Sequence, residues 1–149
     1  MSHSRSFGRG AWVLAPAALL AACSSIPLEQ RDAAQRARFE AYAGPPVPHF
    51  TWLTRHQGWM PISHYQLVLW ASLNQPYLIT VSPPCTNLMF ARGIGVNARA
   101  NTVYAHFDSI RAEGWNCRIS TIQPVDYRRM QRDLREQRES AKQAEKSGA

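Results

Sequence analysis

Residues 65–81 read YQLVLWASLNQPYLITV, and this stretch decides the fold. Tyr65 to Ser72 reads as a strand, Asn74-Gln75-Pro76 as a turn, and Tyr77 to Val81 as the next strand. In the second run Tyr77, Ile79 and Val81 fall on one face, because successive strand side chains point to opposite sides. Working outward, the same punctuation recurs about every 8 to 12 residues. Upstream, Phe50 to Thr54 is a candidate strand ended by His56-Gln57-Gly58. Downstream, Pro83-Pro84 breaks the ladder and Cys85 to Ala91 suits a short helical turn. Ile94 to Asn97 follows, then Thr102 to Ile110, alternating through Val103, Ala105 and Phe107. Glu113-Gly114 turns the chain into Asn116 to Ile122, with Cys117, Ile119 and Thr121 on a common face. Short strands joined by short turns predict an antiparallel meander, either a curled sheet or a small barrel.

Helical chemistry flanks this region, so the fold class is α+β, with an N-terminal helix and a charged C-terminal one. Leu28 to Tyr42 is Ala-rich and free of Gly and Pro, and Leu28, Phe39 and Tyr42 give it a thin apolar stripe. Gly44-Pro45-Pro46-Val47-Pro48 stops that helix and reads as a stiff linker, which puts the start of the globular domain at His49. From Pro124, suited to a first helical turn, the chain becomes strongly charged. Val125, Tyr127, Met130 and Leu134 can dock one face. Arg129/Asp133, Arg132/Glu136 and Arg135/Glu139 fall at i,i+4, as on a solvated helix.

The N-terminus carries an address. Arg5 and Arg9 precede an uncharged apolar run, Ala11 to Ala22, which is closed by Leu20-Ala21-Ala22-Cys23. This is the order of a secretory signal, and the run is too short for a permanent span of a ~30 Å hydrocarbon core. LAAC resembles the lipobox of bacterial lipoproteins, which implies cleavage before Cys23 and lipidation of its thiol. Ser24 in the next position, rather than Asp, favours the outer membrane by the same resemblance. The expected organisation is therefore 1–22 signal peptide, 23–48 lipidated tether, helix and linker, 49–126 β-rich domain, and 127–149 charged helix and tail.

With Cys23 lipidated, the remaining cysteines are one pair, Cys85 and Cys117, expected to close as a disulfide in an oxidising envelope. No CxxC occurs and His ligands at zinc spacing are missing, so a staple is favoured over a metal or redox site, and no cofactor is expected.

The chain has 149 residues, 45% hydrophobic and 18% charged, with a net charge of +7. Once Arg5 and Arg9 are removed, 15 basic face 10 acidic groups, about +5. That surplus is spread along the chain, not gathered into the stripe a phosphate backbone needs, so no nucleic-acid partner is expected.

Gly58-Trp59-Met60-Pro61, Leu67-Val68-Leu69-Trp70, Tyr77-Leu78-Ile79, Pro84-Cys85 with Leu88 and Phe90-Ala91, Phe107-Asp108, and Cys117-Arg118-Ile119 followed by Ile122 and Pro124-Val125-Asp126 occur in that order. The ordered set resembles domain-of-unknown-function family 6491, a group of short proteobacterial lipoproteins. The resemblance implies the anchor, the Cys85–Cys117 pair and a single β-rich domain, and it implies no catalytic residue.

Chemistry-bearing residues are sparse. Between His49 and Gln123 the only carboxylates are Asp108 and Glu113, too few for a paired-acid mechanism with supporting groups. His106 and Asp108 lie two apart on an expected strand, where they could orient a general base for Ser63 or Ser109. The bland reading makes His106 an exposed strand residue and Asp108 a local cap or a partner of Arg118. Gly93-Ile94-Gly95 suggests a bulge or bend. Among the tryptophans, Trp52, Trp59, Trp70 and Trp115 are expected to be core, with Trp59 and Trp115, beside glycines in turns, the candidates for a surface patch. The leading expectation is a non-enzymatic binding or structural module, held at the outer membrane by its lipid, with an envelope protein or peptidoglycan as possible partner. The alternative is a small periplasmic hydrolase using the His106/Asp108 pair.

Overall fold

A computed structural model describes residues 27–52 and 58–148. Two helices, α1 (Leu28–Ala41) and α2 (Tyr127–Ser147), accompany eight strands. These are β1 (His49–Thr51), β2 (Trp59–Ser63), β3 (Gln66–Ser72), β4 (Gln75–Val81), β5 (Ile94–Val96), β6 (Thr102–Tyr104), β7 (Ser109–Ala112) and β8 (Trp115–Pro124). Six of them form one antiparallel sheet in the order β2-β3-β4-β8-β7-β5, curled into a half-barrel, while β1 and β6 pair separately. Among the described residues no helix is long and apolar enough to cross a membrane.

The apolar run in β3 follows from covering the sheet on both faces. Leu67 and Leu69 point into the concave core with Ile79, Val81, Val103, Ile110, Ile119 and Ile122. Val68 and Leu78 point the other way, into a second core with Phe39, Val125 and Met130 from the helical side. A strand buried on both faces reads as continuous hydrophobic sequence instead of alternating. Trp70 stands edge-on to Phe39 at 6.3 Å and to Tyr127 at 6.5 Å, so one ring joins both helices to the sheet.

The strand order departs from a sequential meander at β8. Its first residues pair with β7, from Ala112↔Trp115 to Ser109↔Arg118, whereas its later residues pair with β4, from Val81↔Ile119 to Tyr77↔Pro124. Ten residues long, β8 thus joins the two halves of the sheet. The Cys85–Cys117 disulfide, with Cα atoms 5.5 Å apart, ties the segment after β4 to this strand inside the concave core.

The Pro-rich segment is no free linker. Ala43 bridges Val125, Gly44 N donates to Pro124 O at 2.7 Å, and Val47 N donates to Ile122 O at 2.8 Å, so residues 43–47 run along the side of β8 that β4 leaves open. Pro45, Pro46 and Pro48 lack the N–H that an inner strand must donate, which suits them to an outer edge. The packed structure also takes in Phe39, upstream of the expected start at His49, while Leu28 stays 74% exposed.

Other expectations change. Trp59 opens strand β2, with Pro61 inside it; β2 is the sheet's edge, where a missing N–H faces outward. The turn after β3 is Leu73-Asn74, and Gln75 and Pro76 already belong to β4. Gly95 sits in regular pairing opposite Arg111, without a bulge. Pro124 ends β8, and the cap of α2 is Asp126, whose carboxylate accepts from Arg129 N at 3.0 Å. Of the three i,i+4 pairs, only Arg129–Asp133 closes among the described residues, at 3.9 Å. Leu20, Ala21, Ala22 and Cys23, with Thr54, His56 and Gln57, lie outside the described residues.

Candidate functional site

The expected strand Thr102 to Ile110 is broken in the middle. β6 stops at Tyr104, β7 starts at Ser109, and His106 between them has φ +68°. That left-handed backbone reverses the face alternation, so Phe107, expected to point inward with Val103 and Ala105, is 82% exposed.

Hydrogen bonds hold this turn. Asp108 N donates to Tyr104 O at 3.1 Å, and the Asp108 carboxylate accepts from Tyr104 N at 2.7 Å. Asp108 is 5% exposed and the single buried charged residue among those described. On one flank Ala105 N donates to Pro48 O at 2.9 Å; on the other His106 N donates to Ile119 O at 2.7 Å and Ile119 N to Asp108 O at 3.0 Å. The turn is therefore fixed to both the Pro-rich edge and β8, and Phe107 is presented from rigid backbone.

Two hollows flank that side chain. One, of about 410 Å³, lies between Pro46–Pro48 and Ser120–Ile122, with Tyr104 to Phe107 as its wall. The other, of about 460 Å³, is lined by Arg99, Ala100, Thr102, Tyr104, Phe107 and Asp108. Tyr104 and Phe107 border both, and the His49 ring lies 5.3 Å from that of Tyr104. Exposed rings beside grooves with backbone polar groups suit stacking on a sugar ring or on a peptide's apolar side chain. Among the described residues no group of three or more His, Cys, Asp and Glu could hold a metal ion.

The structure distributes the candidates named from sequence. His106 and Asp108 share a turn, not a strand face; the carboxylate is engaged by Tyr104 N, with no hydrogen bond to the His106 ring and no ion pair to Arg118. Trp59 is half-buried against the concave core, whereas Trp115 is 47% exposed at the start of β8. No ring contact joins them, so they make no common patch through direct stacking. Cys85 and Cys117 form the expected bond. Phe107 and Tyr104 are the residues that sequence reasoning missed. The signal available was weak: no Gly, Pro or Asn marks the turn.

The architecture defines a class: a small α+β domain, a half-barrel closed by one disulfide and backed by two helices. Within it, the chain matches the family of unknown function DUF6491 over residues 7–141 and belongs to that family. No curated protein and no solved structure matches it.

Proposed function

We propose that this chain is a lipoprotein of the bacterial outer membrane, anchored through Cys23 and facing the periplasm, that acts as a non-enzymatic binding module. The LAAC stretch ending at Cys23 supports the anchor, and a disulfide between the other two cysteines fits an oxidising compartment. One observation carries the binding role: Phe107, exposed on a turn fixed by a buried carboxylate, between two hollows. A large apolar side chain left in water forgoes roughly 1.5–3 kcal/mol of burial, which a partner covering it restores. The partner is an envelope protein or peptidoglycan, both of which offer groups that stack on aromatic rings.

The test places a photo-crosslinking phenylalanine analogue at position 107 in intact cells, with Arg111 as an exposed control position on β7. An adduct formed from 107 and not from 111 is the expected result. Its collapse on lysozyme digestion identifies peptidoglycan; survival identifies protein. Equal labelling from both positions, or none from either, refutes the groove as a binding site. Mass spectrometry of the purified chain tests the anchor separately, with an acylated Cys23 at the N-terminus expected.

A further inference from the structure

The β3–β4 turn and α2 carry a second surface that shares no lining residue with the groove. Leu73, at the tip of the β3–β4 turn, is 83% exposed. Beside it, Asn74 shares a hollow of about 260 Å³ with Tyr127, Arg128, Gln131, Arg132 and Arg135 of α2. Three arginine side chains thus line a hollow next to the residue that follows this apolar protrusion. Steps of three and four residues along a helix stay on one face, so Arg138, Lys142 and Lys146 continue the same stripe, interrupted by Glu139.

Folding alone gives no reason for this cluster. Like charges at i,i+4, such as Arg128 and Arg132, oppose helix formation by a few tenths of a kcal/mol. None of the three arginines meets a carboxylate within ion-pair distance among the described residues; the one pair on α2 joins Arg129 to Asp133, and Arg135 Nε donates only to the helix carbonyl of Gln131, at 3.3 Å. The helix as a whole carries seven basic against four acidic residues. Guanidinium forks match phosphate oxygens, so the missing partner is an anion of that shape. Leu73 narrows the choice, since a soluble phosphate offers nothing to an exposed isobutyl group. A phospholipid surface offers both, with phosphates at the headgroup level and hydrocarbon a few ångströms below.

We propose that the β3–β4 turn and the first turns of α2 dock on an anionic phospholipid surface. Arg128, Arg132 and Arg135 meet lipid phosphates, and Leu73 enters the boundary of the acyl chains. This contact orients the domain on a bilayer, and it stands whether or not Cys23 carries lipid.

The experiment uses the full chain, methyl-labelled, in nanodiscs of phosphatidylcholine with or without phosphatidylglycerol, each carrying a gadolinium-tagged headgroup lipid. Relaxation enhancement at the Leu73 methyls is expected to be at least about fivefold greater in the anionic discs and to fade at ~0.5 M salt. The triple variant Arg128→Gln, Arg132→Gln, Arg135→Gln falls to the phosphatidylcholine level, while the three Arg→Lys changes keep most of the effect. Unchanged methyl shifts at Leu67 and Ile79 show that each variant is folded. Equal enhancement in both discs, or persistence in the glutamine variant, overturns the proposal. So does saturable binding of inorganic phosphate alone at the same arginines, which would make this a site for a soluble anion.

Discussion

Asp108 shows how one buried group sets the shape of a surface. Its carboxylate satisfies the Tyr104 N–H at 2.7 Å from within a turn whose His106 takes φ +68°. Removing the acceptor leaves a partly buried donor unpaired, which costs about 1 kcal/mol, the low end of the range for a fully buried one. Asp108→Ala is therefore expected to lower the unfolding free energy by that amount, read as a lower urea midpoint at constant m, and Asp108→Asn, which keeps a carbonyl acceptor, by less than half as much. Equal losses from both variants would show that the charge and not the hydrogen bond matters. Phe107→Ser is expected to leave the unfolding free energy within about 0.5 kcal/mol, as for other exposed positions. The turn was illegible in the sequence because its residues, YAHFD, keep the alternation of a strand while the backbone abandons it. What decides the conformation is an acceptor reaching back four residues and two neighbouring segments, Pro48 and Ile119, that are distant in sequence.

Elements that owe their form to local chemistry were readable, and those that owe it to position were not. The β7–β8 hairpin follows directly from Glu113-Gly114, with φ +46° and +83°, between the paired Ala112 and Trp115. A Cβ on Gly114 would meet nothing within 4 Å, so Gly114→Ala tests backbone strain alone. The expected loss is about 1–2 kcal/mol, seen as a lower midpoint with unchanged native spectra. By contrast β2 and residues 43–47 were hidden by their prolines, which are tolerated because both segments lie on edges. The contact between helices adds a pH dependence. Tyr42 OH donates to Asp133 Oδ2 at 2.7 Å, and this bond, followed by burial, raises the phenol above its ordinary 10.0. Burial also raises Tyr77, stacked on Phe50 at 4.3 Å, against a lowering by the bond from Gln75. In both cases the neutral phenol is the form the fold favours, so the unfolded chain ionises first. The stabilisation is complete below pH 10 and is lost as pH rises through the folded-state values. Tyr42→Phe is expected to flatten part of that alkaline decline in a pH series of urea melts, leaving the part due to Tyr77.

At the scale of the whole molecule, alternation in β4 and the Cys pair announced an antiparallel, disulfide-closed domain, while the pairing of β4 with β8 could not be read because nothing local specifies a partner some forty residues away. That long-range pairing makes the disulfide matter. A half-barrel leaves its concave core open on one side, and here the core is covered by the β1–β6 ribbon and the segment from Cys85 to Leu88, not by a closing strand. Cys85–Cys117 fastens that cover to β8 and closes a loop with a sequence separation of 32. A loop of this length restricts the unfolded chain by roughly 3.5–4 kcal/mol in the chain-entropy view, against a total of about 5–15 kcal/mol for a domain of this size. The double variant Cys85→Ala, Cys117→Ala is therefore expected to lose a quarter or more of the unfolding free energy, with m equal or larger because its unfolded chain is free to expand. The same variant separates restriction of the unfolded chain from direct support of the fold. If hydrogen exchange in the folded variant stays slow in β3, β4 and β8 relative to its own global stability, the bond acts on the unfolded state. Should exchange quicken selectively at Leu88, Cys117 and Ile119, the bond instead holds the cover in place, and its loss would open the concave core before the sheet itself melts.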